Sequence, residues 1–269
     1  MSRVINSTKS FGSGSDIECG LEIKAGAING LTHIHKFGSN EAVGTSYVPV
    51  ANGGFYRTPQ PAAATKLRIK AGDIVDTAAG AGAREVTLIG LDETGAEVTE
   101  TLATAGTSAS ALTTATFIRL YRAWVSASGT YASTAAGSHD SAIVIEKGAG
   151  SEDWATISVT GFPHSQSEIA AYSVPLGYTA YINNITVTVD STKTADILAF
   201  EREGILDAAA PYSAMRVWLQ LKAVSGEEVV NPVVPFGPFP ALTDVGFMAK
   251  VPSSTGEVDI DFEILLVKD

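Results

Sequence analysis

Four histidines and several groups of carboxylates are the residues whose types and spacing could do chemistry. His33 and His35, in Leu31-Thr-His-Ile-His35, fall two apart, so on a strand they share a face and present two imidazoles to a transition metal. No cysteine pair accompanies them and Glu41 is the nearest acid, so a solvent-facing or interface pair is the expected reading. His139 precedes Asp140, a pairing suited to a general base, but it lies in a Gly/Ser-rich loop with no nucleophile marked out. His164 follows Pro163 in a turn context. A serine hydrolase carries Gly-x-Ser-x-Gly between a strand and a helix. The nearest string, Gly12-Ser-Gly14, has no strand before it. Gly80-Ala-Gly82 precedes a strand, the reverse of the order a phosphate cradle needs. Asp259, Asp261 and Glu263 line one strand face, and Asp92, Glu93, Glu97 and Glu100 crowd a hairpin. Either set offers oxygens to calcium, yet neither follows the twelve-residue loop pattern, and both read as solvated polar faces. The expectation is a protein without catalytic residues, metal or cofactor.

The elements that carry these residues are strands. In Val258-Asp-Ile-Asp-Phe-Glu-Ile-Leu-Leu-Val267, Val258, Ile260, Phe262, Ile264 and Leu266 point one way and the acids the other, as in a strand with one buried face. Period-two runs recur at 66–71, 84–91, 96–104, 116–125, 142–147, 155–160, 178–189, 194–203, 216–224 and 245–251. Turn residues separate them, as in Asp92-Glu-Thr-Gly95, Asp190-Ser-Thr-Lys193, Ser225-Gly226 and Ser253-Ser-Thr-Gly256. Short strands at near-regular spacing, without helical patterns between them, predict an all-β fold of two antiparallel β-sandwich or jelly-roll-like units. The expected division is an extended N-terminal arm over 1–61, a first unit over 62–150 and a second over 151–269, the last opening on Trp154. Both units place an Arg-bearing strand after a Thr-rich one, at Phe117 to Arg122 and at Phe200 to Arg202.

The chain has 269 residues and a net charge of −11, and charged residues make up only 17% of it, against about 25% in ordinary globular proteins. Sparse Lys and Arg cannot neutralise many phosphates, so nucleic acid is an unlikely partner by composition. The single Cys19 excludes an internal disulfide framework. Met1 to Ser15 lacks an apolar signal core, and no apolar run approaches the ~18 residues of a membrane span. A soluble chain made in the cytosol is expected. A surface this poor in charge suits a protein largely covered by neighbours. Aromatic residues mark candidate contacts: Phe11, Ile17, Phe37, Phe55 and Tyr56 in the first segment, and Phe236 and Phe239 in a stretch with four prolines between Asn231 and Pro240. That stretch cannot pair centrally in a sheet. It either meets a neighbour or caps the sandwich.

The hairpin Glu85-Val-Thr-Leu-Ile-Gly-Leu-Asp-Glu-Thr-Gly-Ala-Glu-Val-Thr-Glu-Thr-Leu102, followed by Phe117-Ile-Arg-Leu-Tyr-Arg-Ala-Trp-Val125, resembles tailed-bacteriophage virion structural proteins. The resemblance continues at Ala171-Tyr-Ser-Val-Pro-Leu-Gly-Tyr-Thr-Ala-Tyr-Ile182, at Ala195 to Arg202 and in the Pro/Phe stretch before Thr243-Asp244. It covers roughly Lys66 to Val267 and carries over no catalytic residue. It implies a non-enzymatic virion part, first of all a capsid decoration or cement protein on the outer surface of the head. Its partners would then be the major capsid protein and copies of itself, with neither nucleic acid nor membrane. A tail, neck or tail-appendage component is the alternative within that class. A carbohydrate-binding host-attachment module using Tyr178 or Tyr212 is the alternative outside it. On the arm reading, removing Met1 to about Asn40 abolishes attachment and spares the fold.

Overall fold

Period-two alternation resolves into sheets whose pairings are all antiparallel. A computed structural model describes residues 21–54, 64–131, 138–150, 152–159 and 165–269. Its strands are β1 (Leu31–Val43), β2 (Val48–Pro49), β3 (Leu67–Ala71), β4 (Ala83–Leu91), β5 (Glu97–Ala103), β6 (Arg119–Ser128), β7 (Ile143–Lys147) and β8 (Asp153–Ile157). They continue with β9 (Ala171–Ser173), β10 (Tyr178–Val189), β11 (Ala195–Arg202), β12 (Arg216–Val224), β13 (Gly226–Val230), β14 (Phe236–Phe239), β15 (Asp244–Lys250) and β16 (Gly256–Lys268). The fold is all-β, as the alternation predicts.

Two sheets make a large sandwich. One has the order β1-β16-β10-β13, with β14 also on β10, and the other β12-β11-β15-β2, with β9 also on β15. Val258, Ile260, Phe262, Ile264 and Leu266 of β16 face inward with Ile182, Ile185, Val187 and Val189 of β10. Ile197, Ala199, Val245 and Phe247 meet them from the other sheet. In β10 the register shifts between Ile182 and Asn184, so the buried positions change from even to odd numbers while the same face stays in the core. A smaller sandwich pairs β3-β7-β8 with β5-β4-β6 around Leu67, Ile69, Val86, Leu88, Leu120, Ile143, Ile145 and Trp154.

The division of the chain differs from the sequence-based one at both boundaries. β1 and β2 belong to the large sandwich, although they fall within the expected arm of 1–61. β8, with Trp154, pairs with β7 in the small sandwich, although it lies beyond residue 150. The small sandwich is thus inserted between β2 and β9 of the large one. Composition hides β1 because its inward positions include Lys36, Gly38 and Asn40 where alternation expects apolar residues. Backbone covers that face: a Cβ on Gly38 would collide with the amide nitrogen of Ala170 and crowd the Val50 carbonyl. Asn40 is satisfied locally, donating to the Pro49 carbonyl at 2.9 Å and accepting from the Ala42 amide at 3.0 Å. Deleting residues through Asn40 would therefore remove most of an edge strand that pairs along β16. Gly38→Ala is expected to cost about 1–3 kcal/mol or more, because its Cβ would overlap the 169–170 backbone rather than a flexible side chain. A lowered urea midpoint at unchanged slope would register it.

The two cores meet along the start of β6. Leu91, Ile118 and Tyr121 pack in the large core, while Phe117, Leu120 and Ala123 pack in the small one. Gly90 admits this approach, since a Cβ there would strike the Arg119 carbonyl. Arg119 crosses the seam to Asp244 at the start of β15, both side chains having no exposure. Nε lies 2.9 Å from Oδ1 and Nη2 lies 2.8 Å from Oδ2, a bidentate fork. Nη1 donates to the Ile118 carbonyl, the Ser173 hydroxyl donates to Oδ1 at 2.6 Å, and Arg202 approaches Oδ2 at 3.7 Å. The arginine-bearing strands at 117–122 and 200–202 thus send Arg119 and Arg202 to one carboxylate.

Candidate functional site

The chemistry-bearing residues are brought together only in part. His33 and His35 lie on the outer face of β1, beside the acids of β16, and each takes one carboxylate. His33 Nε2 is 2.9 Å from Glu263 Oε2, and His35 Nε2 is 3.3 Å from Asp261 Oδ1. Among the described residues no group of three or more His, Cys, Asp or Glu is placed to hold a metal ion. His139 does not pair with Asp140. Its Nδ1 meets the Ser138 hydroxyl at 2.6 Å and its Nε2 the Ser158 carbonyl at 2.9 Å, within the protein. His164 and Gly12-Ser-Gly14 lie outside the described residues.

The hairpin acids are spent separately on their own fold. Asp92 Oδ1 accepts from the Thr94 hydroxyl and from the Thr94 and Ala96 amides. Partial burial pushes its carboxyl up, but these hydrogen bonds outweigh that and hold it below the ordinary carboxylate range. Glu100 accepts from the Thr114 and Ala115 amides, Glu93 from the Thr116 hydroxyl, and Glu97 from the Tyr121 hydroxyl at 2.6 Å. A concavity of about 530 Å³ lies beside β1 and β16 and includes Glu41, Glu168, Glu257, Asp259 and Asp261 in its walls. Burial first, then the charges of Asp259, Glu41 and Asp190, raise the Glu257 carboxyl. Stacking against Phe37 and Trp124, the Arg122 guanidinium lies 6.0 and 5.7 Å from their ring centres and lines a smaller hollow along β6.

Of the candidate contact residues, Phe11, Ile17, Phe55 and Tyr56 lie outside the described residues. Phe37 is half-buried on the outer face of β1. The proline-rich stretch caps the sandwich. Phe239 is only 2% exposed, so its ring is buried in the protomer's own core and is unavailable to a neighbour. Phe236 is half-buried, 4.9 Å from the Trp218 ring, which also packs on Phe239 and Phe247. Pro238 is accommodated because β14 pairs only with β10, at the edge of its sheet.

One group of exposed apolar side chains lies next to that cap and is mostly aliphatic; Leu21, Ile74, Leu112, Tyr131 and Leu176 are exposed as well. Met215 just before β12, Val217 on β12, Val229 on β13, and Val233 and Val234 in the 231–235 connection are all exposed, with Tyr212 close by in sequence. The Trp218–Phe236 contact brings β12 near the end of that connection, while Val217, opposite Phe200, and Val229, opposite Thr186, lie on the outward faces of the two facing sheets, so these residues flank one edge of the sandwich. Selecting aromatic residues passes over them. Asn231-Pro-Val-Val-Pro235 was the available signal, because two valines between prolines cannot enter a sheet interior.

No family model matches the chain, and no curated protein matches it. The solved structures most similar to it include the Gt and Gx strains of infectious bursal disease virus. Identity to these is 6% and 9%, with 88% of this chain and 75% or 76% of the other covered, at TM-scores of 0.20 and 0.21. A T=1 particle derived from the same virus gives 8% identity, 89% and 74% coverage, and a TM-score of 0.21. Scores at this level reflect shared strand content and carry no argument about fold or function.

Proposed function

We propose that the protein is a non-enzymatic structural component of a virion, and specifically a capsid decoration protein that braces the outer surface of a tailed-phage head. The observation that carries this reading is the group of exposed apolar residues on and beside β12, β13 and the 231–235 connection. Exposed apolar side chains gathered beside one edge of a fold suit an assembly face. The resemblance of 66–267 to tailed-phage virion proteins supplies the particle. An acidic, cation-poor chain suits a position away from packaged DNA, since it would repel phosphates rather than neutralise them. Two sandwiches sharing a buried ionic seam suit a rigid brace, because load on one passes to the other through packed side chains rather than a linker. Particles lacking the protein are expected to lose packaged DNA at lower temperature and lower salt than complete ones. Equal heat and salt resistance of the two would remove the bracing role.

A further inference from the structure

These exposed residues flank two strands that lie at sheet edges among the described residues. Among the described residues β12 is the last strand of its sheet, bonded only to β11, and β13 lies at the edge of the other sheet, bonded only to β10. Val189 pairs with Gly226 and Ala195 with Val224, so β12 ends and β13 begins at the same end of the sandwich, with Ser225 alone between them. The two strands therefore run antiparallel in facing sheets, and both edges open on one side. Solitary proteins blunt or cover such edges, because unpaired N–H and C=O groups template pairing with another chain.

The charges on the two edges are opposite. β12 carries Arg216 and Lys222 and no acid, whereas β13 carries Glu227 and Glu228 and no base. Arg216 and Lys222 also pair within the protomer, with Glu201 and Glu203 and with Asp196, and both remain half exposed. Rotation about an axis parallel to these strands lays β12 of one copy along β13 of the next, antiparallel and with unlike charges opposed. Pairing β12 with its own copy would oppose cations to cations instead. At a net −11, two copies repel over most of their surface, so contact is favoured where local charges complement each other.

We propose that this side of the large sandwich docks a second copy of the chain, with β12 of one copy pairing antiparallel with β13 of the other. Main-chain hydrogen bonds join the sheets of the two copies, and Met215, Val217, Val229, Val233 and Val234 are covered. A closed ring of copies leaves neither edge bare. The inference rests on the assembly reading and deepens it, naming a second copy as what this edge of the sandwich meets.

The test uses the full chain. Sedimentation across the micromolar range is expected to show an oligomer, and Val217→Lys or Val229→Lys to give monomer with an unchanged circular dichroism spectrum. In a Cys19→Ser background, Gln220→Cys with Glu228→Cys is expected to cross-link between copies with a short bis-maleimide. Lys222→Glu is expected to weaken association about tenfold or more, with Glu227→Lys and Glu228→Lys in the same chain restoring it. A monomer at every concentration overturns the proposal. So does an oligomer that survives both lysine variants, or cross-linking by Gln220→Cys alone, which would mean β12 pairing with itself. An oligomer of the expected kind that is absent from heads would sink the decoration reading and leave this one standing. A monomer bound to heads would do the reverse.

Discussion

Asp244→Ala is expected to lower the free energy of unfolding by about 3–5 kcal/mol, the scale for stranding a buried charge. The carboxylate is fully buried and takes a two-point fork from Arg119, a hydroxyl from Ser173 and the nearby charge of Arg202. Removing it leaves the Arg119 guanidinium without its anion in a seam that water does not reach. Arg119→Met combined with Asp244→Leu is expected to recover most of that loss, because two apolar side chains need no partners. Urea unfolding followed by tryptophan fluorescence measures both, Trp154 lying in the small core and Trp218 packing against the large one. If Asp244→Ala cost less than about 1 kcal/mol, the pair would behave like a surface salt bridge and the rigid seam would be lost from the account.

Lys36 gives the second large effect, and it depends on pH. Its side chain points inward from β1 and donates to the Tyr121 carbonyl at 2.5 Å, with the Tyr121 ring 5.8 Å away. Burial first, and the charge of Arg122 second, lower its pKa from 10.5 to about 7. An unfolded lysine keeps its proton to about pH 10, so between pH 7 and 10 the unfolded chain binds a proton that the folded one lacks. Stability therefore rises with pH across that window, by roughly 3–5 kcal/mol at about 1.4 kcal/mol per pKa unit. Below pH 7 both states hold the proton, and the cost of the buried cation is fully present. Above about pH 10 the gain reverses, because burial raises the Tyr121 and Tyr172 hydroxyls while unfolded tyrosines ionise. Urea unfolding at steps from pH 6 to 10 is expected to show the rise in the natural chain. The difference between it and Lys36→Met is expected to change across the same range. A constant difference would mean that Lys36 does not titrate in the seam.

Where side chains alone fill a core, the sequence displays the fold openly. The alternation of β16 is complete from Gly256 to Leu266, and β4, β10, β11 and β15 announce themselves in the same way. β1 does not, because backbone from 169–170 and a buried lysine occupy the positions where alternation looks for apolar residues. β8 is visible as a strand but not as a member of the small sandwich, since its pairing with β7 turns on register and leaves no mark in composition. The seam is legible only by half: the arginine-bearing strands stand out, but their convergence on Asp244 requires two distant segments to be adjacent. Searching for aromatic contacts leads to Phe239, which the fold buries, and away from the valines beside it, which the fold exposes. What separates them is which side chains turn toward the facing sheet, a tertiary property that the residues themselves do not encode.

The most direct test of the central claim is the position and copy number of the protein in purified particles, read by cryo-electron microscopy of DNA-filled heads without tails. The account predicts density on the outer face of the shell at regular capsid positions, with copies in contact through β12 and β13. Recovery of the protein only with tails, and bare capsid positions on those heads, would contradict it.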